Sequence, residues 1–113
     1  MKTTRLGEFE ELVLLAVVRL QEKACCVELK TALEKTLGER LSIGSIQSPL
    51  KRMEEKGFLT SEFGVATKKR GGKRNRIYTA TPYALRVLAE LKNIRSELWT
   101  SAAIPTLTRP NHG

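Results

Sequence analysis

Apolar residues recur at helical spacing in four stretches of this chain and alternate in strand fashion in two shorter ones. The sharpest helical pattern lies within residues 41–63, LSIGSIQSPLKRMEEKGFLTSEF. Ile43, Ile46, Leu50, Met53 and Gly57 step by three and four, which places them on one helical face. Ser42 is positioned to cap that helix, because its hydroxyl can accept an N–H of the first turn. Gly57 is positioned to end it, since glycine enters left-handed backbone without a Cβ penalty. The opposite face carries Ser45, Ser48, Lys51, Arg52 and Glu55, with no large apolar residue among them. Pro49 lies inside the pattern, removes one backbone donor and predicts a local bend.

The other stretches supply the frame. Over 6–20, Phe9, Leu12, Val13, Ala16, Val17 and Leu20 wrap most of a helix, which predicts a central, buried first element. Glu8, Glu10 and Glu11 crowd its first turn, where the helix dipole favours negative charge. A short connection at 21–24 leads to a second helix over about 25–37, with Cys26, Leu29, Leu33 and Leu37 as its stripe and Gly38 as its end. Thr81-Pro82 announces a last helix, with a hydroxyl cap followed by a proline whose missing N–H costs nothing there. Along it Ala84, Val87, Leu91, Ile94 and Leu98 form a narrow seam of the kind used between helices. Beside the seam runs a second stripe, Leu85, Leu88, Lys92, Arg95 and Trp99. That is more apolar surface than one small domain covers, so the seam is expected to make a homodimer. From 101 onward, SAAIPTLTRPNHG has two prolines and no periodicity, which predicts a flexible tail.

Two β-prone runs, FLTSEF at 58–63 and Ile77-Tyr78-Thr79, bracket KKRGGKRNR and predict a hairpin turning about Gly71-Gly72. Charge changes the picture here. The chain holds 20 basic and 12 acidic residues, net +8, and Lys68, Lys69, Arg70, Lys73, Arg74 and Arg76 supply most of that surplus in one segment with no acid among them. A helix, a turn, a second helix and a cationic hairpin in this order predict a mainly α fold with a β-hairpin wing. The expected architecture is a winged helix-turn-helix over 1–80, one long C-terminal dimerisation helix over 81–100, and the tail over 101–113. In such folds the second helix of the pair enters the major groove and the wing lies on the phosphate backbone. Ser42, Ser45, Gln47, Ser48, Lys51 and Arg52 are therefore the expected contacts from the helix, and the six hairpin cations those from the wing. The expected partner is double-stranded DNA, read as an inverted repeat by a homodimer.

Composition narrows the alternatives. Hydrophobic residues make up 41% and charged residues 28%, the balance of a soluble domain. The longest apolar run, 12–18, falls far short of the ~20 residues of a membrane span, and the first residues carry no secretion signal, so a cytoplasmic protein is expected. With aromatics at 5%, the chain lacks the stacking surface of a single-stranded RNA reader. Its one histidine, His112, stands in the tail, no Ser-His-Asp or paired-carboxylate pattern occurs, and Gly71-Gly72 is no phosphate cradle, so no enzyme and no cofactor are expected. Cys25 and Cys26 are adjacent, which suits neither an unstrained disulfide nor the spaced ligand pairs of a zinc site. They are read as one core residue and one residue beside a loop, in a reducing compartment. The competing reading is a sensor module, responsive to a flat apolar compound or to redox state, in which DNA binding is secondary.

Three segments together resemble the PadR-type transcriptional regulators. LGEFEELVLLAVVRL is similar to that family's first helix. LSIGSIQSPLKRMEEKGFL resembles its Leu-Ser-x-Gly motif, which runs through Arg-Leu-Glu and closes with Gly-Leu. GGKRNRIYTAT resembles its wing, a Gly-Gly followed by basic residues, an aromatic, and the threonine that opens the last helix. The resemblance spans roughly 6–99 and implies a compact, dimeric DNA-binding repressor without a large C-terminal effector domain. For some compact members it also implies flat apolar ligands at the dimer interface, where Leu88, Arg95 and Trp99 would stand. The chain departs from the pattern at Gln47, where the family usually has tyrosine, at Cys25-Cys26, in place of Tyr-Gly, and at Ala84, in place of glycine.

Overall fold

The computed structural model describes residues 6–64, 75–103 and 105. Its elements are α1 (Glu8–Leu20), a single 3-10 turn (Gln21–Lys23), α2 (Cys26–Leu37), α3 (Ile43–Glu55), β1 (Leu59–Phe63), β2 (Arg76–Ala80) and α4 (Pro82–Ala102). The mainly helical architecture with one antiparallel hairpin is the one the patterns predict.

Local chemistry sets most of the boundaries. Gly38 ends α2 in left-handed backbone, φ 73°, and its N–H closes onto the Glu34 carbonyl at 2.8 Å. The Glu34 carboxylate then accepts the Leu41 N–H at 2.8 Å, which holds the turn into α3. Ser42 caps α3 as expected, its Oγ accepting the Ser45 N–H at 3.1 Å. The helix continues through Pro49 without a break. Gly57, at φ 87°, turns the chain out of α3 so that Phe58 enters the core. Thr81 caps α4 by accepting the Ala84 N–H at 3.1 Å, and its hydroxyl donates to the Gly57 carbonyl at 2.8 Å. One threonine thus starts the last helix and ties it to the turn that ends α3.

A single core gathers Val13, Leu14 and Val17 of α1, Leu29 and Leu33 of α2, Ile46, Leu50 and Met53 of α3, then Phe58, Leu59, Ala84 and Val87. Fully burying a side chain of this size contributes about 1.5–3 kcal/mol, so this cluster dominates stability. Two expectations about faces need correction. Ile43, on the apolar face of α3, is 41% exposed, at the first residue of the helix and outside its buried set of Ile46, Pro49, Leu50 and Met53. Leu14, absent from the expected stripe of α1, is fully buried, because α1 is covered by α2, α3 and β2 together.

The last helix divides in two. Ala84 is fully buried and Val87 is 4% exposed, and Tyr83 stacks on Phe58 with ring centroids 5.0 Å apart. This corrects the expectation of a continuous dimer seam, since Ala84 and Val87 are already spent on the intramolecular core. Leu91 is partly covered by that core. Beyond it Arg95 pairs with Glu11 of α1, and further on Leu98 is 61% and Trp99 64% exposed. Among the described residues no helix is long and apolar enough to cross a membrane.

Candidate nucleic-acid interface

Burial on one side of α3 forces a definite set of side chains outward. With Ile46, Pro49, Leu50 and Met53 turned into the core, Gln47, Ser48 and Lys51 stand exposed, and none of the three pairs with another described residue. Ser42 and Ser45 are more committed. Besides the cap, the Ser45 hydroxyl donates to the Ser42 carbonyl at 2.7 Å, so both hydroxyls serve the helix terminus first. The N-terminus they decorate offers unpaired N–H groups and the positive end of the helix dipole, an arrangement suited to a phosphate.

Arg52 proves different from its neighbours. Expected to reach along a groove, it is tethered inward, its Nε donating to Glu10 Oε2 at 2.9 Å. Lys56 joins from the next turn, Nζ to Glu10 Oε1 at 3.5 Å, and the Gly7 N–H donates to the same oxygen at 2.8 Å. Glu10 is the buried charged residue among those described, only 5% exposed. Burial pushes its pKa up, yet the Gly7 N–H, Arg52 and Lys56 outweigh that and hold it below the ordinary carboxylate value. The result is a clamp joining the start of α1 to the C-terminal half of α3. It fixes the rotation of α3 about its own axis, and therefore which residues face outward. Sequence reasoning missed both Glu10 and Lys56.

The hairpin is fixed to the same helix. Leu59 pairs with Ala80 and Phe63 with Arg76, an antiparallel register that carries the strands away from α3. At the end of the ladder away from Leu59 and Ala80 the Arg76 guanidinium donates to Ser61 Oγ at 2.8 Å and lies 4.4 Å over the Phe63 ring, while the Ser61 hydroxyl donates to Glu54 at 2.8 Å. Glu54 of α3, Ser61 of β1 and Arg76 of β2 form one chain. The outer edge of β2 is held from the far side, where the Tyr78 N–H donates to the Ala24 carbonyl at 2.9 Å. Arg76 is therefore the expected wing cation that the structure places, exposed and braced. Lys68, Lys69, Arg70, Lys73 and Arg74 lie outside the described residues, as does most of the expected tail. Among the described residues no cluster of three His, Cys, Asp or Glu could hold a metal ion.

An exposed polar helix face, an adjacent braced hairpin and a helix terminus with free donors share one side of the molecule. Comparison with known proteins agrees with that layout. No family profile and no curated protein matches the chain. Solved structures do. A PadR family transcriptional regulator from Eggerthella lenta superposes with a TM-score of 0.65 at 27% identity, covering 84% of this chain and 82% of its own. A PadR-like transcriptional regulator from Bacillus cereus gives a TM-score of 0.66 at 26% identity, covering 83% of this chain and 86% of its own. With the three sequence segments, the helix-turn-helix, the hairpin and these likenesses in agreement, the chain is a PadR-like winged helix-turn-helix protein.

Proposed function

We propose that this protein is a sequence-specific DNA-binding transcriptional regulator that acts as a homodimeric repressor by occupying an inverted repeat. The observation that carries the reading is the outward face of α3, where Gln47, Ser48 and Lys51 stand unpaired on a helix that Glu10 locks in rotation. Short and amide side chains near a helix N-terminus reach base edges, while the cations follow the phosphates. The similarity to two solved transcriptional regulators supports the same class. Arg76 and the cations of 68–74 supply attraction independent of sequence, and Ser42 and Ser45 bind phosphate through the helix terminus they cap.

The second copy is called for by the apolar surface left on α1 and α4. Leu15, Leu85, Ile94, Leu98 and Trp99 are exposed, and between the two helices lies a groove of about 350 Å³ walled by Leu15, Leu88 and the stem of Lys92. The dimer contact is assigned to this side and to Leu91, Ile94 and Leu98, with Ala84 and Val87 excluded by their burial. In this division residues 1–80 read DNA and 81–100 join the copies. The same groove is the place for a flat apolar effector, and exposed Trp99 makes it observable by fluorescence.

Selection of duplexes from a random library by the purified protein tests the proposal. Recovery of an inverted repeat with half-sites about 34 Å apart is the expected result. Binding should weaken with salt at a slope of about −0.9 per phosphate engaged. Replacing Arg70, Lys73 and Arg74 with alanine should flatten that slope, and Ser48→Ala should change which sequences are recovered. A library returned without enrichment would refute specific readout.

A further inference from the structure

The adjacent thiols have no part in the interface just described, yet they lie against it. Cys25 is the N-cap residue of α2 and is buried, and Cys26 opens the helix and is half-buried. Both are free, and both line a groove of about 300 Å³ whose other walls include Gln47 of α3, Arg76 and Tyr78 of β2, and Phe63 of β1. We propose that Cys25 and Cys26 form a dithiol site for trivalent arsenicals, and that filling it releases DNA. The second half rests on the DNA-binding reading above.

Geometry selects the ligand. Consecutive Cα atoms are about 3.8 Å apart, below the ~4.4 Å at which ordinary disulfides begin, so direct oxidation of the pair to a disulfide is disfavoured. One soft atom held between the sulfurs lengthens the bridge and removes that conflict. Zinc needs four ligands, and the described residues offer no third His, Cys, Asp or Glu to complete a metal cluster. An organic arsenical of the type R–As(OH)₂ needs only two thiols. Two As–O and two S–H bonds break, two As–S and two O–H bonds form, and two waters leave, with no change in oxidation state. Burial and the neighbouring Cys25 raise the pKa of Cys26, which keeps it a protonated thiol at neutral pH. Cys26 is thereby a poor nucleophile toward peroxide, which only a thiolate attacks, and in the condensation its proton leaves with the departing water.

The route to DNA release is short. One arsenic shared by the two sulfurs would draw Cys25 and Cys26 together at the start of α2, in the groove that both line. Ala24, the backbone neighbour of Cys25, holds β2 through the Tyr78 N–H, and the Cys25 carbonyl accepts the Leu29 N–H at 2.9 Å as the first bond of α2. Drawing the two sulfurs together would therefore strain the backbone that holds the wing, while the aryl group would occupy the groove lined by Gln47 and Arg76.

The experiment uses the full, reduced chain with phenylarsine oxide as probe and a duplex selected from the random library. One equivalent should remove both free thiols in a thiol titration and add one phenylarsenic per chain to the intact mass. Affinity for the duplex should fall about tenfold, the size of ordinary allosteric coupling. A dithiol such as dimercaptopropanol should restore it, and a monothiol should not. Cys26→Ser should bind the duplex as wild type does and lose both the adduct and the response. Incomplete thiol loss at one equivalent, a full adduct without change in affinity, or a Cys26→Ser protein that still responds would overturn the proposal. An untreated chain that binds no duplex would sink the DNA reading, and release with it, while the thiol titration alone decides the dithiol site.

Discussion

The α3–hairpin end and the distal half of α4 are both surfaces of amphipathic elements, yet they are held in opposite ways. At the first, every structural contact points inward. Ile46, Leu50 and Met53 are fully buried, Glu10 clamps Arg52 and Lys56, and Glu54 reaches the wing through Ser61 and Arg76. At the second, the contact back to the body is the ion pair of Arg95 with Glu11, whose arginine is largely exposed, and Leu98 and Trp99 face solvent. Glu10 and Glu11 are neighbours on α1 but serve these two ends separately. A finished surface presents polar groups over a completed core. An unfinished one presents apolar groups over nothing, and the contrast separates the face proposed to read DNA from the face proposed to join two copies.

Three substitutions test that contrast, in decreasing cost to folding. Leu50→Ala, in the middle of the buried stripe, should lower unfolding stability by about 2–5 kcal/mol, read as a fall in the urea midpoint. A cost below about 1 kcal/mol would mean that α3 is not locked on the core. Glu10→Gln should cost about 2 kcal/mol at neutral pH, as expected for charge-assisted hydrogen bonds whose arginine is half exposed. The carboxylate is depressed in the folded state, so its contribution is full above its ordinary value of 4.5. It is lost as pH falls through the lower folded value, and the stabilities of wild type and variant should converge in acid. Parallel curves across that range would remove the clamp. Leu98→Lys should change the stability of the subunit by less than about 0.5 kcal/mol while shifting sedimentation from dimer to monomer. A variant that stays dimeric would place the joining face elsewhere.

Much of the α3 end was legible because its signals are local. Ser42, Gly57 and Thr81-Pro82 act within a few residues of themselves, and the structure uses each as the sequence suggests. The clamp was not legible, because Glu10 and Arg52 are 42 residues apart and nothing in the first turn of α1 distinguishes Glu10 from Glu8 or Glu11. The α4 seam failed for a related reason. A step of three and four shows that Ala84, Val87, Leu91, Ile94 and Leu98 share a face, but not that α1 and β2 already pack against its first half. Periodicity identifies a face and leaves its occupant to tertiary structure. Ser48 and Lys51 were legible as exposed because an exposed face is what remains once the apolar stripe is drawn.

The division of α4 also makes its length a matter of phase. The helix spans 21 residues, and each residue advances it by ~1.5 Å and turns it by about 100°. One residue inserted after Leu91 would leave the buried half untouched and swing Leu98 and Trp99 more than a quarter turn around the axis. Seven inserted residues, close to two full turns, would restore their bearing and merely move them outward. Changes in the length of this helix should therefore be tolerated in steps of three, four or seven and rejected at one or two, a rhythm imposed by angle rather than by distance.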